Sequence, residues 1–119
     1  MTTRYELIRM LTLNEIADDY EEPEHVGELV AAVGRQYGLE IGPSDVTRAL
    51  LDLVGLGWAK AHDLRTRPPR ELPGVPPAER AKEFYYWITE KGRGVQSSFE
   101  DWPFDEDGKP TPGWVPPVE

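Results

Sequence analysis

The sequence predicts an α+β fold in which three helices are followed by a two-stranded β-hairpin, and three observations predict it. Apolar side chains recur at helical spacing in three successive segments before residue 55. The period then changes: Glu83 to Thr89 is rich in aromatic and β-branched residues, Trp58 to Leu64 opens on an aromatic one, and neither segment contains Pro or Gly. Prolines are segregated as well. Ten of the twelve lie at or beyond Pro68, so long helices fit the first half and much of the second half excludes them. At 119 residues the chain is long enough for one domain with its own core. The expected division is a domain over 1–96 and an acidic, aromatic, proline-rich tail over 97–119 packed on it.

Each element has its own justification. In the first helix, Arg4 to Tyr20, the apolar stripe is Leu7, Ile8, Leu11, Ile16, Ala17 and Tyr20. Glu21-Glu22-Pro23 ends it, and Pro23 with Glu24 suits the first turn of a second helix. That helix buries Val26, Leu29, Val30, Val33 and Tyr37, and Gly38 stops it. The third is capped by Ser44 or a neighbour, buries Val46, Ala49, Leu50, Leu53 and Val54, and closes at Gly55 and Gly57. The two strands come next. The segment between them, Arg65 to Pro77, is too proline-rich for a tight turn and is expected to be a long, partly extended loop. Thr89 then caps a short helix beginning Glu90-Lys91-Gly92-Arg93, which two glycines weaken.

Three helices and a hairpin, in that order, form the element order of a winged helix-turn-helix. Phe84-Tyr85-Tyr86-Trp87-Ile88-Thr89-Glu90-Lys91-Gly92-Arg93 resembles the returning wing strand of PadR-type transcriptional regulators, and Ile41 to Trp58 resembles their recognition helix and its exit. The resemblance covers about residues 5 to 96. It implies a DNA-binding regulator with the third helix in the groove and the wing on phosphates. Two features differ from that family. Val46-Thr47 stands where a tyrosine is usual, and prolines 103, 110, 112, 116 and 117 exclude the long C-terminal dimerisation helix. Monomer and homodimer both stay open.

The net charge of −9, from 13 Lys plus Arg and 22 Asp plus Glu, opposes wholesale attraction to nucleic acid. The charge is segregated, however. Residues 60–82 carry six basic and three acidic side chains, whereas 1–59 carry four and eleven. On the third helix the outward set is Asp45, Thr47, Arg48 and Asp52; Arg48 suits a guanine edge or a phosphate, and Ser44 and Thr47 the DNA backbone. The bland alternative pairs Arg48 with Asp45 or Asp52 along the helix. The stronger electrostatic signal is Arg65, Arg67 and Arg70, with Arg80 and Lys82 at the far end of the loop. Five such cations on phosphates give a log–log salt slope of about −4.5.

The aromatic residues suggest a covered surface. Tyr85 and Trp87 project to one face of their strand, Phe84, Tyr86 and Ile88 to the other. Phe99, Trp102, Phe104 and Trp114 of the tail either strap across the hairpin or make it an interface for a protein partner. A winged helix repurposed for protein interaction is therefore the second functional class. Enzymatic chemistry is not expected. His25 and His62 belong to no triad or metal spacing, the adjacent acids Asp18-Asp19 and Glu21-Glu22 do not focus on one point, and Asp105 to Gly108 lacks the rest of a calcium loop. Zero cysteines exclude thiolate metal sites. No cofactor, no metal, no membrane segment and a cytoplasmic location complete the expectation.

Overall fold

The computed structural model describes residues 3–17, 20–98 and 111–114. Its architecture is α+β: α1 (Arg4–Glu15), α2 (Pro23–Gln36) and α3 (Pro43–Gly55) precede β1 (Ala59–Asp63), β2 (Arg70–Glu71), a 3-10 helix (Ala78–Glu83), β3 (Tyr85–Ile88) and α4 (Glu90–Ser97). The sheet is antiparallel in the order β2-β1-β3. Ala59 faces Ile88 and His62 faces Tyr85 on one side of β1, while His62 faces Glu71 and Asp63 faces Arg70 on the other.

Local chemistry sets the helix ends. Thr3 caps α1 by accepting from the Glu6 N–H, and Glu6 returns the bond to the Thr3 N–H. At the end of α2, Leu39 N–H donates to Gly34 O and Gly38 N–H to Arg35 O. The same paired bonds close α3, from Trp58 to Leu53 and from Gly57 to Val54. Gly38 and Gly57 hold φ of 72° and 79°, which only glycine adopts at no steric cost. The second stop turns the chain straight from α3 into β1.

Several expectations need correction. α1 ends at Glu15, five residues short of Tyr20, because the sheet claims the backbone beyond it: Ile16 O accepts from the Ile88 N–H, and Glu21 exchanges both backbone bonds with Tyr86. Ile16 and Ala17 are buried from that turn, not from a helix face, and Tyr20 is 38% exposed. Leu29 is also 37% exposed, since α2 faces the core along Val26 and Val30. Gly42, not Ser44, caps α3, with Pro43 in its first turn. Val54 is only half-buried. The segment after β1 is not one long loop; it turns over residues 64–69 and pairs back as β2.

The core lies between the three helices and one face of the sheet. Leu7, Ile8 and Leu11 of α1, Val26 and Val30 of α2, and Val46, Ala49, Leu50 and Leu53 of α3 meet Ala59, Ala61, Tyr86 and Ile88. Each fully buried aliphatic side chain among them contributes about 1.5–3 kcal/mol. Phe84, Tyr86 and Ile88 are the buried face of the returning strand; Tyr85 and Trp87 are half-buried on the other.

The joint between β3 and α4 is built at close range. Thr89 Oγ1 caps α4 by accepting from the Gly92 N–H and itself donates to Gly57 O at 2.7 Å. Thr89 N–H donates to Trp58 O. A Cβ on Gly92 would stand 2.1 Å from that same oxygen, so the glycine that weakens the helix is what lets it sit there. Arg93 Nη2 then donates to Ala17 O at 3.0 Å, and Gln96 to Asn14 at 2.9 Å, tying α4 to the end of α1.

Candidate nucleic-acid interface

α3 presents three stripes. Val46, Ala49, Leu50 and Leu53 face the core; Asp45, Arg48 and Asp52 meet residues of α1; Ser44, Thr47 and Leu51 face outward. Contacts from α1 decide the chemistry of the middle stripe. Arg4 Nη2 stands 3.6 Å from Asp45 Oδ2, which also accepts from the Gly42 N–H at 3.0 Å. The Tyr5 hydroxyl donates to Asp52 Oδ2, and the Arg48 guanidinium carbon lies 4.4 Å from the centre of the Tyr5 ring. Burial, with the hydrogen bond to Asp52 adding to it, pushes the Tyr5 phenol up to about 12. Arg9 approaches the same ring at 5.5 Å and Trp58 at 5.8 Å. The helical pairing of Arg48 with Asp45 or Asp52 therefore does not form among the described residues.

A groove of about 580 Å³ runs along the outward stripe. Pro43, Ser44, Thr47, Arg48, Leu51 and the acid Asp52 line it from α3, and Ala78 and Lys82 from the 3-10 helix. Lys82, 35 positions beyond Thr47 in sequence, is thus brought beside the third helix. Tyr86 helps hold that 3-10 helix, its buried hydroxyl donating to Ala81 O at 2.9 Å.

The remaining cations form a second group. Arg65, Arg70 and Arg80 surround one recess beside the turn, together with Asp63. Arg65 donates from Nε and Nη2 to the two oxygens of Asp63 at 2.9 and 3.0 Å, and its backbone N–H adds a third bond. Those side-chain and backbone bonds hold the Asp63 carboxyl down to about 2. Arg80 forks onto Glu83 at 3.0 and 3.2 Å, lowering that carboxyl in turn. Lys60 Nζ stands 3.8 Å from Glu71. Arg67 and Arg70 are exposed and make no ion pair among the described residues. The five cations expected to act as one strip are therefore divided. Lys82 belongs to the α3 groove, Arg65 and Arg80 are already matched by acids, and Arg67 and Arg70 stay open.

The outer face of the sheet carries a ring cluster. Tyr20 meets Trp87 at 4.9 Å and His62 edge-on at 4.8 Å, and Arg93 lies 5.9 Å over Trp87. His62 Nε2 is buried without a hydrogen-bond partner. Desolvation lowers the imidazole from its usual value, with Glu71 opposing and Lys60 adding to the effect. Of the four tail aromatics, Phe99, Trp102 and Phe104 lie outside the described residues. Trp114 packs edge-on against Tyr37 at 4.6 Å, at the end of α2.

Sequence periodicity does not reveal the parts of Tyr5 and Arg4, because it marks which positions face a core and not which polar partner lies opposite. The only local signal is Thr3 with Glu6, which fixes where α1 begins. No group of three or more metal-ligating side chains clusters among the described residues, and no described helix is long and apolar enough to cross a membrane. Comparison of the chain with protein-family models, with curated proteins and with solved structures found no match.

Proposed function

We propose that the chain is a small DNA-binding transcriptional regulator of winged-helix type, with α3 directed into the groove and the 64–69 turn following phosphates. The observation that carries this reading is the disposal of the acids on α3. Asp45, which would repel phosphates, is ion-paired with Arg4 and bonded to the Gly42 N–H, and Asp52, which keeps its charge, is bonded to the Tyr5 hydroxyl and not to Arg48. Arg48 and Lys82 then line one groove together with Thr47, Leu51 and Asp52. Arrangement adds support: β1 follows directly from α3 and pairs antiparallel with β3, and the Thr89 to Arg93 junction that resembles PadR-type regulators is a tightly bonded joint.

Four cations without an ion pair among the described residues, Arg48, Arg67, Arg70 and Lys82, give a log–log salt slope of about −3.6 when all are engaged. The test is a titration of mixed genomic duplex DNA over a range of salt. Wild type should show that slope, Lys82→Ala should reduce it by about 0.9, and the double change of Arg67 and Arg70 to Ala by about 1.8. Absence of binding at low salt, or a flat slope, overturns the reading. The ion pairs Arg65–Asp63 and Arg80–Glu83 favour a second one, in which these two arginines are matched within the chain and the domain docks a protein partner. That reading gains if binding fails at low salt.

A further inference from the structure

We infer that Arg48 is a specificity-determining residue that reads a guanine edge, and that Tyr5 is the positioning residue that keeps it free to do so. This rests on the DNA-binding reading above. On an exposed helix, an arginine with aspartates three positions before and four after ordinarily pairs with one of them. Asp45, Arg48 and Asp52 have that spacing. Neither pair forms, and each acid is engaged elsewhere through its Oδ2: Asp45 by Arg4 and the Gly42 N–H, Asp52 by the Tyr5 hydroxyl.

The guanidinium instead lies over the Tyr5 ring, its carbon 4.4 Å from the ring centre. Attraction to the π face holds it there and does not consume its N–H donors. No hydrogen bond or ion pair takes those donors among the described residues. Tyr5 thus acts twice, by supplying the ring beneath Arg48 and by removing the acid that would compete for it. The result is an exposed, planar fork of donors at the rim of the α3 groove. A phosphate is satisfied by any nearby cation. A fork held in place suits a rigid pair of acceptors, and guanine offers O6 and N7 in the major groove. Leu51 and Thr47, which line the same groove, suit the methyl of a neighbouring thymine. The expected ligand is duplex DNA with guanine beside thymine.

The experiment selects duplexes from a random pool with the full chain, then replaces each recovered guanine by 7-deazaguanine, which lacks the N7 acceptor. Wild type should lose at least about fivefold in affinity at one guanine. Arg48→Lys keeps the charge but not the fork, and should abolish that loss while leaving the salt slope unchanged. Tyr5→Phe keeps the ring and frees Asp52 to pair with Arg48, so it should also abolish the 7-deaza effect. Adding Asp52→Asn to Tyr5→Phe should restore it, a rescue that a merely structural role for Tyr5 would not give. Failure of the rescue overturns the part given to Tyr5. Salt-dependent binding without a guanine preference, or one that survives Arg48→Lys, overturns the inference and leaves the DNA-binding reading standing. Absence of salt-dependent binding overturns both.

Discussion

Replacing Gly92 with Ala should destabilise the protein by about 3 kcal/mol, and the number comes from the joint between β3 and α4. The added Cβ would stand 2.1 Å from Trp58 O and 2.8 Å from Ile88 Cγ1. An ordinary carbon–oxygen approach is about 3.3 Å or more, so the helix must retreat by about 1 Å. Overpacking of this kind costs about 1–3 kcal/mol. Retreat also strains the Thr89 cap, worth about 1 kcal/mol, and the bond from Thr89 N–H to Trp58 O, worth about as much again. Against these stands the better helix propensity of Ala, a gain of about 1 kcal/mol. Gly94 in the same helix supplies the control: nothing lies within 4 Å of its Cβ position, so Gly94→Ala should stabilise by about 0.5–1 kcal/mol. Urea unfolding followed by circular dichroism measures both. A Gly92→Ala protein as stable as wild type would refute the close-approach argument, because the helix-weakening account predicts a gain at both positions.

Three further outcomes can be checked with equally simple measurements. His62 is held neutral by burial, so its folded pKa lies below the unfolded value of about 6.5 and the unfolded chain takes up the proton first. Its stabilising contribution is full above that value and is lost as pH falls through the folded one; the melting temperature should drop more between pH 7.5 and pH 5 in wild type than in His62→Phe, and an equal drop would refute the assignment. Tyr86→Phe leaves the Ala81 carbonyl without its donor and should cost about 1–1.5 kcal/mol by urea unfolding, with the 3-10 helix that carries Lys82 exchanging its amides faster. Trp114→Ala removes an edge-on ring pair with Tyr37 and should lower stability by about 1–2 kcal/mol without changing the mass in solution; a change of mass would make the tail an interface instead of a strap.

The candidate site was legible in composition and illegible in pairing. Arg48, Ser44 and Thr47 could be placed off the core side of the third helix because the buried stripe is Val46, Ala49, Leu50 and Leu53. Whether Arg48 was available depended on Tyr5, 47 residues before Asp52 in the chain. The segment after β1 shows the same division. A basic run from Arg65 to Lys82 could be counted, yet its effective charge depends on Asp63 and Glu83 accepting two of the arginines and on the 3-10 helix carrying Lys82 away to α3.

By itself the sequence determined the features that residues within about four positions of one another can enforce. The three helices, the glycine stops after Gln36 and Gly55, the Thr89 cap and the alternating faces of β3 all belong to that class, since their hydrogen bonds and side-chain periods close over a single turn or pleat. Tertiary structure alone decided where α1 ends, that β1 lies at the centre of the sheet, and which acid each arginine meets. The end of α1 and the sheet edge compete for the same backbone groups at Ile16 and Glu21, and the outcome depends on Tyr86 and Ile88 arriving from about 70 residues away. Gly92 joins the two levels. In sequence it reads as a weak point of a short helix; in the folded chain the missing side chain is the space that the Trp58 carbonyl occupies.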